Sequence, residues 1–435
     1  MRRFESTQSP SAQRGMAALV VVTVLFIITS LVAAYTSRNL IFEQRTSANQ
    51  YRSTQAFEAA EAGIEWSLAL LNHGHITSAC ESSTDTSAKS FRKRYLKDID
   101  LDTGIIEPRF PALDDVHMPG CVFDGSNWSC DCPSDTPRAL VAPAGASVYP
   151  AFRVRFTAVA GQPGVVRIES NGCTRLDNSC LNFPAQGSGS EGRATVSALV
   201  ALASGLASPP AAPLTVRGDV NTGGGLSLNA YNTDVPTGGV TIQARGAVNA
   251  AGFSLVSTPG MPGSLSVIDN DGSLPADVVL ASGDIWGVFT SVFNMWPRIY
   301  PQQPAAFKLD CGIAGCSADT VRTAASLNPG RVLWLQGDLV LDSAGDIGSP
   351  TDPVLLVVTG NFSTTGASTR VYGLVYVQSG DWVNAGSAEV HGAVIAEGNL
   401  TGTGSPVLVY DAAILKRLRL ATGSFVRVPG GWKDF

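Results

Sequence analysis

Charge is scarce in this chain of 435 residues. Only 15% of them are Asp, Glu, Lys or Arg, and histidine occurs four times, at His73, His75, His117 and His391. Those histidines lack the two-on-one-helix spacing of a zinc protease. No Gly-x-Ser-x-Gly nucleophile elbow occurs. No Gly-x4-Gly-Lys-[Ser/Thr] phosphate loop occurs either, which argues against nucleotide hydrolysis. No catalytic residue, metal ligand or cofactor is therefore expected, and the chain reads as a non-enzyme. Asp338, Asp381, Glu389 and Glu397 could line a polysaccharide-cleaving face, but most stand at turns, where Asp is common for other reasons.

Glycine and cysteine, by contrast, are plentiful. Forty-five Gly and 25 Pro among many Val, Ser and Thr favour β structure with frequent turns. The eight cysteines are Cys80, Cys121, Cys130, Cys132, Cys173, Cys180, Cys311 and Cys316. An even count in an exported segment reads as disulfides. Cys173–Cys180 and Cys311–Cys316 are the simplest local pairs, while the other four pair among themselves in an order that sequence leaves open. Cys130-Asp131-Cys132 has too short a spacing, and no matching pair, for structural zinc.

One stretch has no charge, glycine or proline at all. Met16 to Ala34 is a 19-residue apolar run, long enough to cross a bilayer as a helix. Arg2, Arg3 and Arg14 precede it and a mostly acidic bulk follows, which places the N-terminus in the cytoplasm and the rest outside. A secretory signal has its small-residue cleavage site after the apolar core. Here the small residue, Gly15, stands before it. The formal net charge of −6, about −8 without residues 1–15, argues against nucleic acid as a partner.

The helical pattern then runs to Asn72, about 85 Å from Met16, and becomes amphipathic beyond Arg38. Within it lie Gly15-Met16, Glu43-Gln44-Arg45, Asn49-Gln50-Tyr51 and Ala56-Phe57-Glu58-Ala59-Ala60-Glu61-Ala62-Gly63. These resemble the N-terminal segments of type IV pilins and type II secretion pseudopilins, and most of all the PilX-type minor pilins. The closing Val428-Pro-Gly-Gly-Trp-Lys-Asp-Phe435 resembles the C-termini of PilX-like proteins with an added domain. The resemblance implies that prepilin peptidase cuts after Gly15 and that Met16 becomes an N-methylated first residue. It also implies that the position of the glutamate used by major pilins is occupied here by Val20, which favours a minor or tip place over repeated use along a shaft.

Taken in order, the expected parts are a leader (1–15), a long helix (16–72) with its membrane span at 16–36, and a globular part (73–203). A Pro-rich linker (204–213) and a C-terminal domain (214–435) follow. Strands are predicted over 151–159, 165–170 and 194–203, as an antiparallel meander beneath the helix. Asp98-Ile-Asp100-Leu-Asp102-Thr-Gly104 lacks the closing glutamate of a calcium loop and reads as a turn. Past the linker, Gly-[Asp/Asn]-apolar recurs at Gly337, Gly360, Gly380 and Gly398. So short and nearly constant a period suggests a β-solenoid or β-helix, with a β-sandwich as the alternative. Arg217-Gly218-Asp219 fits the same corner pattern better than an integrin-binding motif. Residues 276–300 predict a helix flanking this domain.

The fold class is thus α+β and pilin-like, followed by a mostly-β domain. The function expected is that of a minor pilin that primes a type IV pilus or sits at its tip. The alternatives are a secretion pseudopilin and a surface adhesin binding glycan or protein. Expected partners are other minor pilins, the major pilin, prepilin peptidase, a tip adhesin, and the inner membrane before assembly.

Overall fold

A computed structural model describes residues 14–110, 117–134, 136, 140–141, 149–183, 192–274, 287–365 and 368–434. Most of the predicted leader lies outside these residues. Helix α1 runs over Arg14–Leu71. In its apolar part Thr23 Oγ1 donates to Leu19 O (2.7 Å) and Thr29 Oγ1 to Leu25 O (2.9 Å). The hydroxyls are thus satisfied within the helix itself, as a lipid setting needs. It is the one helix among the described residues long and apolar enough to cross a membrane.

The amphipathic reading beyond Arg38 is only partly realised. Leu40, Ile41 and Tyr51 remain exposed, and burial begins at Ala56 and continues through Ala59, Ala60, Ile64 and Leu71. Small residues set this contact. A Cβ added to Gly172 would collide with Ala56 O and Ala60 N. The Ala56–Gly63 block is therefore where the helix lies closest on its sheet.

That sheet is antiparallel and has six strands. They are β1 (Gly120–Phe123), β2 (Trp128–Asp131), β3 (Ala151–Ala158), β4 (Val165–Cys173), β5 (Arg193–Ser204) and β6 (Gly423–Asp434), in the order β2-β1-β3-β4-β5-β6. Short helix α2 (Phe91–Tyr95) is capped by Ser90 Oγ and supplies Phe91 and Tyr95 to a core with Phe152, Phe156, Ile168 and Val200. The β1–β2 hairpin is a finding beyond the three predicted strands. Its signal in sequence was Asp124-Gly125, a pair common in tight hairpin turns. In the turn, Asp124 Oδ1 accepts from Ser126 N (2.8 Å) and Asn127 N (2.7 Å).

Strand β6 corrects the predicted domain boundary. It pairs antiparallel with β5, with Gly423 opposite Ser204, so residues 423–434 belong to the first lobe. The second lobe is an insertion between two neighbouring strands, and its end expected at 435 stands near 422.

The insertion is built of parallel strands. Its larger sheet runs through Val267–Ile268, Ile242–Ala244, Leu214–Val216, Glu389–Ala396, Thr369–Val377, Val354–Val358, Val332–Gln336 and Ala306–Asp310. A smaller sheet stacks Cys316–Ser317, Leu339–Leu341, Phe362–Thr364, Trp382–Asn384 and Leu400–Gly402. Register is kept from layer to layer: Leu333, Leu356, Val375, Val394, Leu214 and Ile242 form one column. These side chains share one dry core with Leu339, Phe362 and Trp382. The layer of residues 214–216 adds onto the layer of residues 389–396, so the first insertion strand in sequence follows one of the last in space.

Helices cover the other face of the larger sheet. Over the predicted helix at 276–300, α3 spans only Gly287–Phe293, and residues 275–286 lie outside the described set. Its Phe289 and Phe293 pack on Trp334, Tyr376 and Tyr300. Helix α5 (Ala412–Ala421) joins it there, burying Leu415 and Leu418, whereas helix α4 (Ala318–Leu327) packs Ala318, Val321 and Ala325 into the core between the sheets.

Candidate functional site

Two places carry the functional geometry: the uncovered half of α1, and the joint where α1, α2, β6 and the insertion meet.

On α1, Met16, Leu19, Val20, Leu25, Phe26 and Leu31 are all exposed, at 55–72% of their surface. A continuous apolar stretch left uncovered on a single helix calls for lipid or other helices around it. Val20 offers no charge to a neighbouring amine.

At the joint, α1 ends and Arg92 takes its last carbonyl. The Arg92 Nε donates to Leu71 O, Nη1 to Gly330 O (3.1 Å), and Nη2 to Gly423 O (2.6 Å) and Asn72 Oδ1 (3.3 Å). One guanidinium thus ties the helix end, the insertion and the returning strand together. Its central carbon lies 4.7 Å from the centre of the Phe425 ring. Asn72 completes the tie, with Nδ2 donating to Phe425 O (2.9 Å) and Oδ1 accepting from Phe425 N (2.8 Å). Burial, and then Arg331, push the Arg92 pKa down to about 9. Burial alone takes Arg331 to about 10. The guanidinium of Arg331 bonds Asn328 Oδ1 and the carbonyls of Ala305 and Ala306. Around this centre Lys93 pairs with Asp352 across the lobes, Lys416 with Asp102 (3.6 Å), and Arg427 with Glu65. His73 and His75 are both held below the ordinary imidazole range, first by burial.

The other residues singled out from sequence are dispersed. All eight cysteines pair, as Cys80–Cys132, Cys121–Cys130, Cys173–Cys180 and Cys311–Cys316. Asp100 accepts from Asp102 N (2.8 Å) and from Thr103 Oγ1 (2.8 Å), which is a turn closing on itself. Among the described residues no group of His, Cys, Asp or Glu could hold a metal ion. Asp338 and Asp381 brace corners, Glu397 is buried on the Tyr376 hydroxyl, and Glu389 bonds Arg370 and His391. Asp219 of Arg217-Gly218-Asp219 accepts from Ala247 N (2.8 Å) within the corner series. The Arg92 joint carried no motif; its only signal in sequence was the basic run Arg92-Lys93-Arg94 beside the aromatic Phe91 and Tyr95.

Comparison with known proteins places α1. Residues 14–65 match the family model described as PilX N-terminal. No curated protein matches the chain. Among solved structures, the crystal structure of the competence-associated pilin ComZ from Thermus thermophilus aligns at 12% identity over 88% of this chain and 98% of that one. Its TM-score of 0.22 is too low to transfer an arrangement or a role. The similarity is confined to residues 14–65, most of α1, and a larger, mostly-β part follows it in the chain.

Proposed function

We propose that this protein is a minor pilin of a type IV pilus, assembled from the inner membrane, with its C-terminal bulk on the periplasmic side beforehand. The observation that carries this reading is the PilX N-terminal match on a helix whose first part is uncovered while its last part is fixed to a sheet. Such a helix can pass from lipid into a bundle of like helices without refolding the lobe it carries. Prepilin peptidase cuts between Gly15 and Met16, Met16 is methylated, and other pilins cover the apolar run. The stacked parallel layers act as a β-solenoid displayed at the surface, available to a tip adhesin or other ligand. No catalytic step is assigned.

Mass spectrometry of the mature N-terminus tests the processing step. The expected product begins at methylated Met16, and Gly15→Ala leaves the leader attached. A mature protein still beginning at Met1, or cut beyond Ala34, overturns the pilin reading.

A further inference from the structure

A half-open cavity of about 90 Å³ lies at the joint between the lobes, and its charge is unusual for an acidic chain. Arg92, Lys93 and Lys97 from the first lobe line it together with Arg417 of α5, against the carboxylates Asp98 and Asp352. Lys93 is paired with Asp352, and Lys97 with Glu107 outside the cavity (2.8 Å). Arg92, Arg417 and Asp98 also line the cavity, and none of the three is in an ion pair among the described residues. All the hydrogen-bond partners of Arg92 are neutral, three carbonyls and an amide oxygen, which leaves donor capacity unused on its guanidinium. Among the described residues Arg417 has no ion-pair or hydrogen-bond partner. Arg92 is buried without a carboxylate partner, which is unfavourable unless other groups supply compensating charge. The depressed basicity of Arg92, set first by burial and then by Arg331, accords with a cation short of compensating charge.

We infer that this cavity is a binding site for one small oxyanion, of phosphate or sulfate type, held between Arg92 of the pilin lobe and Arg417 of the insertion. Guanidinium groups match such oxygens with paired donors. The cavity has room for one such group and not for a polymer strand. A membrane headgroup is out of reach, since Ala34 and Leu71 stand about 55 Å apart along the helix. A bound anion would contact both lobes and so hold the insertion on the pilin sheet. This inference does not depend on the pilin reading, since it concerns only the joint.

The test is calorimetric titration of sodium phosphate into the full chain in detergent, with sodium sulfate as a second anion and sodium chloride at matched ionic strength as the control. Thermal unfolding is followed in the same three salts. Phosphate or sulfate is expected to bind saturably and raise the unfolding temperature, and chloride is expected to do neither. Arg417→Gln, a change at a half-buried position of α5, should weaken the anion about tenfold, in line with loss of one charge-assisted contact. It should leave the unfolding temperature in chloride close to wild type. No saturable heat, an equal response to chloride, or an Arg417→Gln variant that binds as well as wild type would overturn the assignment.

Discussion

Asp381 accepts from the Asn399 backbone N–H of the next layer (2.7 Å), and Asn361 accepts from Asp381 N (3.1 Å). Asp338 accepts from Asn361 N (2.7 Å), and Asn399 from Asp219 N (2.9 Å). A line of short side chains thus braces one corner of successive layers, each satisfying a backbone donor that the turn would strand. The glycine before each has its own reason. A Cβ on Gly398 would collide with Asp381 Oδ1 and Gly380 O. Gly398→Ala is expected to destabilise the insertion by about 1–3 kcal/mol through overpacking, a fall of several degrees in thermal unfolding. Gly272→Ala, where the added methyl meets nothing, should shift it little. Circular dichroism melts of the two variants decide this, and equal melting points would refute the close-packed corner. The Gly-[Asp/Asn]-apolar corners were legible in sequence because the same steric demand recurs at each layer. The meeting of Asn399 with Asp219, far apart in the chain, was not, since periodicity states that corners stack but not in which order.

Strand β6 shows the same limit at the scale of elements. Strands β3, β4 and β5 were readable because alternating residues signal one buried face. β6 has two halves, with a register shift between Arg427 and Trp432, and the whole insertion separates it in sequence from its partner β5. Its sequence, with Pro429, Gly430 and Gly431, reads as a loose tail. Only the pairing with β5, the burial of Phe425 and the edge-on contact of Trp432 with Phe57 reveal it as part of the first lobe. A fragment of residues 214–435 would carry a strand without a partner and leave out Leu206, which is buried under α3. An unpaired strand of this kind promotes edge-to-edge association. Residues 205–422 expressed alone should therefore elute as a monomer with a β-dominated spectrum, while residues 214–435 should associate. Sedimentation of both fragments is the check. A monomeric, folded 214–435 beside an aggregating 205–422 would restore the boundary read from sequence.

For the whole molecule, what matters is where the insertion hangs. It leaves after Ser204 and returns at Gly423, directly opposite each other on β5 and β6, beside the C-terminal end of α1. The apolar half of α1 points the other way, so mass and anchor occupy opposite ends of the molecule. In a fibre built by stacking such helices, another subunit continuing upward has to clear the entire insertion, held by Arg92, Asn72 and the interlobe ion pairs. Along a thin shaft that would recur at every repeat; at the end of a fibre it arises once. On the proposed processing, which frees the amine of Met16, Val20 acts in the same direction: it offers no carboxylate to a further subunit, while that amine can still meet the carboxylate of a pilin below. Both features favour a place at or near the tip, in few copies. Sheared pili labelled with immunogold against residues 205–422 should show label at one end, and deletion of the gene should reduce piliation. Replacing Val20 with Glu should leave the end label in place, because the insertion alone still blocks continuation. Label spread along the shaft of wild-type fibres would refute the tip position. Normal piliation in the deletion strain together with a secretion defect would move the protein to a pseudopilus instead.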